Sequence, residues 1–292
     1  MCCVERILES NIVDNHTHIL LAEIVDMVAS AKANNITEYS VTEHVSQFRE
    51  PRESIGFGSV HSTGRIFESL KEYDVEFRKA NEQEWGIKIN RGLEVDFAPR
   101  YETRVANFVN QEEWDILLCS VHEFEDGKDI EGKIGRMIDS AFVHNLWRDY
   151  LRLQQMALES NFVPFKVLAH PVRMARSTEV VPPEFDDLLI DLARTARRRN
   201  RALELNGNDI DYAQELVRRL ATACSKGGCK VSLGSDAHHS EMCSGTCEPP
   251  WVSLTSSNWS ASQVDESGRK YSKTNLLGGS FPSIRVVCQN YK

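Results

Sequence analysis

Short apolar runs alternate with longer amphipathic stretches over most of the chain. The first run, residues 11–18, is followed by Leu21, Ile24, Val25 and Val28, whose i, i+3, i+4, i+7 spacing marks one apolar helix face. Further strands are expected at 38–42, 87–95, 114–121, 166–169, 202–205 and 230–234. Between them the pattern predicts a loop over 51–64, a long charged helix over 65–85 and one or two helices over 133–159. Phe185, Leu188, Leu189 and Leu192 form a helical stripe behind Pro182-Pro183, and a last helix is expected over 212–224. Seven strands with helices between nearly all of them imply parallel strands joined by crossovers, closed as a barrel or open as a doubly wound sheet. From about Cys243 onward the chain is rich in Ser, Thr, Gly and Asn, with no strong period until 283–288. Residues 1–242 are therefore expected to form one domain and 243–292 a divergent or poorly ordered tail.

Composition narrows the class. The 292 residues are 41% hydrophobic and 26% charged, as in a soluble globular protein. No run of about 18 apolar residues occurs, and Glu5, Arg6 and Glu9 stand where a signal peptide needs an apolar stretch, so the expected location is cytoplasmic. On the same grounds the Asn258-Trp259-Ser260 sequon is read as a chance tripeptide. A net charge of -9 lacks the basic field that nucleic acid or anionic lipid would require, and neither is expected as a partner. The oligomeric state is left open. Eight cysteines are too few for a disulfide scaffold and are read as reduced thiols; the spacings among Cys224, Cys229, Cys243 and Cys247 do not match the CxxC of structural zinc sites.

The chemistry gathers at the strand ends. His16 and His18 close the first strand in Asp14-Asn15-His16-Thr17-His18, and an i, i+2 spacing on a strand points both imidazoles to one side. Asp236 and His238 repeat the geometry after the last strand, and if the sheet closes the two pairs meet. Between them lie His44, Glu94, His122 and His170, each a donor at a predicted strand end. In barrels, reactive residues collect at the C-terminal ends of several strands, which favours the closed form. Imidazoles mixed with carboxylates, without thiolates, suit Zn, Mn or Fe, and Glu94 can bridge two cations. His61, His144 and His239 fall outside this set and are read as structural.

In order, Asp14-Asn15-His16-Thr17-His18, Thr42-Glu43-His44, Gly92-Leu93-Glu94-Val95-Asp96, Ser120-Val121-His122, Ala169-His170-Pro171, Glu204-Leu205-Asn206 and Gly234-Ser235-Asp236-Ala237-His238 resemble the PHP (polymerase and histidinol phosphatase) metallophosphoesterases over residues 11–240. The resemblance implies an α/β fold, a distorted seven-stranded (β/α) barrel of the PHP type, with two or three divalent metal ions at its C-terminal mouth. By position, His16, His18, Glu94 and Asp236 would hold one ion, Glu94, His122 and His170 a second, and His44 and His238 a third. The histidine that completes the third site in many members falls near Ile24 here, with Glu23 as a substitute. Within the family the chain looks most like the free-standing histidinol-phosphate phosphatases of histidine biosynthesis, and the stretch between His44 and Gly64 resembles their substrate-covering insertions.

The expected activity is therefore metal-dependent hydrolysis of a small phosphorylated substrate, L-histidinol phosphate. Clustered cations bind phosphoryl oxygens and lower the pKa of a bound water. Asp236 or His238 would orient that water or protonate the leaving group. Arg49, Arg173 and Arg176 each follow a ligand by a few residues and are candidate phosphate clamps, since Arg matches phosphate in a bidentate fork. The alternatives are hydrolysis of another small phosphate ester or phosphodiester, and a noncatalytic metal-stabilised binding module.

Overall fold

Seven parallel strands follow one another around a nearly closed barrel in the computed structural model, which describes residues 12–55, 64–131, 139–240, 263–264 and 270–271. They are β1 (Ile12–Asp14), β2 (Ile36–His44), β3 (Lys88–Asp96), β4 (Ile116–Ser120), β5 (Val167–Leu168), β6 (Ala202–Asn206) and β7 (Lys230–Gly234), and each pairs with the next. Closure comes from the segments just beyond β1 and β7. Asn15 N–H donates to Leu233 O (3.0 Å), Asp236 N–H to His16 O (2.7 Å) and His18 N–H to Ala237 O (2.9 Å). The first and last strands therefore meet, as the closed alternative required.

The strand period of two sorts the side chains. Leu93, Val95, Leu117, Cys119, Val121, Leu168, Leu203, Leu205 and Val231 face outward into the main core beneath the helices. Ile116, Leu118, Val167, Ala169 and Ala202 form a smaller apolar cluster of their own, the plug of the barrel. Continuing along the inner register toward the C-terminal ends, apolar side chains give way to Glu94 and Asp96 on β3, Ser120 and His122 at the end of β4, and Glu204 and Asn206 on β6, all buried. The barrel is thus apolar below and densely ionisable at its mouth.

The helices cover the outside. They are α1 (Ile24–Ala33), α2 (Arg49–Ile55), α3 (Leu70–Asn81), α4 (Glu102–Val109), α5 (Ser140–Glu159), α6 (Phe185–Arg198) and α7 (Gly207–Gly227), with 3-10 turns at Val45–Gln47 and Arg173–Arg176. The expected loop over 51–64 begins as a helix instead. Phe48 is buried against Phe67 (5.4 Å between ring centroids) and anchors α2, and Pro51 falls in its first turn, where a missing N–H costs no helical bond. The charged helix expected over 65–85 is shorter because Ser69 caps it, accepting from Glu72 N–H, while Arg65 N–H is taken by Leu20 O (2.8 Å). The last helix starts earlier than expected, at the Asn206 cap, and is interrupted at Ala213, whose φ and ψ are -146° and 47°.

No helix among the described residues is long and apolar enough to cross a membrane. Cys119, Cys224 and Cys229 are buried free thiols. Cys243, Cys247, His61, the Asn258-Trp259-Ser260 sequon and nearly all of the expected tail lie outside the described residues; of the tail, Gln263–Val264 and Lys270–Tyr271 pair antiparallel.

Candidate metal centre

Six histidines, Glu94 and Asp236 converge at the barrel mouth. Their donor atoms fall into four overlapping groups, each within 4.8 Å: His16, His18 and Asp236; His16, Glu94 and His170; His44, Glu94 and His122; and His18, His44 and His238. All eight expected ligands are brought together. Glu94 is fully buried and faces both ways. Its Oε2 lies 3.1 Å from His16 Nε2, 3.4 Å from His18 Nε2 and 2.9 Å from His44 Nδ1, and its Oε1 lies 2.8 Å from His170 Nε2 and 3.3 Å from His122 Nε2. Asp236 Oδ1 stands 3.3 Å from His18 Nε2 and 3.7 Å from His16 Nε2.

Two of these residues are held in left-handed backbone, His170 at φ 32° and Asp236 at φ 59°. Non-glycine residues enter that region only where their surroundings enforce it. At His170 the enforcing contact is Glu204 Oε2, which accepts from His170 N–H at 2.8 Å. At Asp236 it is His16 O, across the barrel seam.

A further set of groups, not singled out as ligands, orients the rings. His16 Nδ1 donates to Glu204 Oε1 (2.9 Å), His18 Nδ1 to Glu43 Oε1 (3.2 Å), His122 Nδ1 to Asp96 Oδ1 (2.5 Å) and His238 Nδ1 to the Asp236 carbonyl (2.9 Å). These oxygens accept, so Nδ1 carries the proton and Nε2 is left to face the centre, the arrangement that metal-binding histidines adopt. Glu43, Asp96 and Glu204 each lie inside a motif quoted above, next to a ligand or on the inner register, and that placement was the available signal.

Burial opposes charge on every one of these groups, yet the acids prevail at three rings. Glu204 and Glu94 lift His16 well above the usual imidazole range, Asp236 and Glu43 push His18 up to about 9, and Glu94 and Asp96 push His122 up to about 10. Despite burial, His44, His16 and His122 hold Glu94 well below the carboxylate range, and Arg173 and His16 do the same for Asp236. Burial lowers His44, His170 and His238, the last to about 4. The mouth therefore concentrates ionised carboxylates and draws protons onto rings that would otherwise be neutral.

This donor set fits divalent cations. His16 Nε2 and His18 Nε2 lie 3.1 Å apart with both Nδ1 protons spent on carboxylates, so two neutral rings face each other with lone pairs and meet as donor and acceptor only when one ring takes up a second proton. A cation shared by both nitrogens and Asp236 would take the place of that proton as it binds. Imidazole and carboxylate without thiolate suit Zn, Mn or Fe. The His18 ring stacks between those of His44 and His238, at 4.1 and 4.4 Å, so His18 supplies a third donor to the group expected to hold only His44 and His238. Ile24 is fully buried core, and Glu23 is exposed at the start of α1 and outside all four groups.

The candidate phosphate arginines separate. Arg49, half exposed at the start of α2, forks onto Glu68 and reaches Glu53 at 3.3 Å on the surface. Arg173 is buried against Asp236 and Asp209, and Arg176 reaches Glu131 at 2.9 Å with its guanidinium over the Tyr212 ring. His144 is half-buried on α5 and His239 is exposed; neither joins the four groups.

A PHP domain model matches residues 15–208. A histidinol-phosphatase of Lactococcus lactis is 24% identical over 219 residues, 72% of this chain and 76% of that protein. Among solved structures, a histidinol phosphate phosphatase from the same organism, complexed with zinc, L-histidinol and phosphate, superposes with a TM-score of 0.62 at 21% identity, covering 79% of this chain and 87% of that one. A histidinol phosphatase described as putative, from Listeria monocytogenes, gives 0.65 at 18% identity, covering 79% and 96%.

Proposed function

The chain belongs to the PHP domain family, and from that premise we propose that it is a metal-dependent phosphomonoesterase hydrolysing L-histidinol phosphate to L-histidinol and phosphate, a step of histidine biosynthesis. The observation that carries the reading is the closure of six histidines around Glu94 and Asp236. The substrate is suggested by the relatives, one of which is complexed with zinc, L-histidinol and phosphate.

His16, His18, Glu94 and Asp236 would hold one divalent ion, Glu94, His122 and His170 a second, and His18, His44 and His238 a third. Ions bound there would polarise the phosphoryl oxygens and bring a water's pKa toward neutrality. The protein's own part is to fix the donors. Glu94 spans the groups with its two oxygens, and the Glu204, Glu43 and Asp96 carboxylates lock the tautomers of His16, His18 and His122. Asp236 stays ionised and orients rather than donates. His238 is neutral at pH 7, with its Nδ1–H spent on the Asp236 carbonyl, which leaves Nε2 as the atom it would offer to the third ion. Arg176, whose Nη2 is buried without a hydrogen-bond partner among the described residues and whose Nε lies 3.9 Å from Asp209 Oδ1, is the arginine left to meet an anionic ester.

Phosphate release from L-histidinol phosphate tests the reading, with the purified protein assayed as isolated, after chelation, and after adding Zn or Mn. Metal-dependent turnover with clear preference over a generic aryl phosphate is expected. Preference for another small phosphate ester or a phosphodiester would overturn the substrate. Stoichiometric metal with no ester hydrolysed would leave a binding module.

A further inference from the structure

Arg173 is 4% exposed and faces three acids. Its Nη2 donates to Asp236 Oδ2, its Nε lies 2.8 Å from Asp209 Oδ1 and its Nη1 lies 3.6 Å from Glu131 Oε1. Asp209 is itself buried in the first turn of α7, where its N–H is capped by Asn206 at 3.1 Å. Asp236 is consequently divided: Oδ1 looks at His18 and His16, and Oδ2 is tied to Arg173.

We propose that Arg173, anchored by Asp209, is a positioning residue that aims Asp236 Oδ1 at the ion shared with His16 and His18, and that it does not grip the substrate's phosphate. Its Nη2 and Nε are committed to two buried carboxylates, and drawing them away to a phosphate would break both contacts, the costly way to disturb a buried ion pair. The tether has a task at this position. Asp236 sits on left-handed backbone at the barrel seam, where β7 has ended, so the strand no longer fixes the direction of its carboxylate. An arginine fork clamps one oxygen and leaves the other free, as a ligand needs. Anchoring through α7 links the aim of Asp236 to the helix that begins after β6.

The inference rests on the metal reading above, and the test separates the two. Zinc affinity is measured by competition with a chromophoric chelator, and binding of inorganic phosphate is measured on the zinc-saturated protein, for wild type, Arg173→Lys and Asp209→Asn. Absence of zinc binding by the wild type would remove the metal reading itself. With wild-type binding in hand, Arg173→Lys is expected to weaken zinc about 10- to 100-fold, the usual cost of losing a group that orients a ligand, with phosphate affinity within about twofold. Asp209→Asn, which removes the anchor but keeps the shape, is expected to weaken zinc in the same direction by less. Unchanged zinc affinity in Arg173→Lys, or a loss of phosphate binding that exceeds the loss of zinc, overturns the proposal. If Arg173→Lys fails to fold, Asp209→Asn decides: tighter phosphate binding with unchanged zinc would show an arginine released to the phosphate and would equally overturn it.

Discussion

Replacing Glu204 with Gln changes one atom and leaves no satisfactory orientation. Glu204 Oε1 accepts from His16 Nδ1 at 2.9 Å, and Oε2 accepts from His170 N–H at 2.8 Å and from Asn206 Nδ2 at 3.0 Å. Three donors converge on two oxygens in a fully buried place. If the Gln oxygen turns to His16, its amide faces His170 N–H and Asn206, donor against donor. Two buried hydrogen bonds are then lost, at about 1–3 kcal/mol for each unsatisfied group. If the oxygen turns to His170 and Asn206, the amide donates to His16 Nδ1 and drives the ring proton to Nε2, the atom 3.1 Å from Glu94 Oε2. That orientation costs less in folding and more in metal affinity, about 10- to 100-fold. Glu204→Gln is therefore expected to fold, to lose on the order of 1–3 kcal/mol of stability, and to bind zinc one to two orders of magnitude more weakly. Urea unfolding of the chelated protein gives the first quantity and chelator competition the second. Zinc affinity within about twofold of wild type, in a variant with an unchanged near-UV spectrum, would refute the claim that this carboxylate sets the His16 tautomer.

Three further outcomes follow from the same geometry. Glu94→Gln removes the carboxylate shared by two of the donor groups and should reduce turnover by about 10^3-fold or more while the far-UV spectrum stays native; near-wild-type kcat would sink the assignment of Glu94 to the centre. The metal-free protein should lose stability as pH rises: with folded values near 9 and 10 against an ordinary 6.5, protonated His18 and His122 stabilise the fold fully below pH 6.5 and cease to do so as pH climbs through 9 to 10. Its Tm should therefore fall across that window, and zinc binding at pH 7 should release protons, read as a heat that varies with the buffer; a flat Tm and no buffer dependence would contradict both.

Every strand was legible in the sequence, because each is a short apolar run set between amphipathic stretches, and β7 has the expected bounds. The misread stretches are those where contacts distant in sequence override local composition. In α2 the chain is almost wholly polar around Pro51, and its helical state depends on Phe48 packing against Phe67 and Tyr73 from beyond the loop. Gly207, Asn208 and Asp209 lie ahead of the helix expected over 212–224, yet they open α7 because the Asn206 side chain accepts from Asp209 N–H and Arg173 lies beside the Asp209 carboxylate. The helix α4 carries too few apolar positions, Val105, Ala106, Phe108 and Val109, for its period to stand out.

The donors that gather at the mouth were legible and the groups that orient them were not, for a reason that lies in local spacing. An i, i+2 spacing at an expected strand end marks His16 with His18, and Asp236 with His238, as pairs, and the structure brings both pairs together just beyond β1 and β7. An orienting acid declares nothing until the barrel closes: Glu204 meets His16 across 188 residues of sequence. His170 even violates the alternation, since Val167 and Ala169 already face the plug, and only its left-handed backbone turns the ring into the mouth. Closure in turn depends on Gly234. A Cβ there would lie 2.3 Å from Glu204 Oε1 and 2.4 Å from His16 Cβ, so β7 can lie against β1 only because this position has no side chain. The glycine that begins the Asp236 motif thus sets the distance at which His16, Glu204 and Asp236 can share one site.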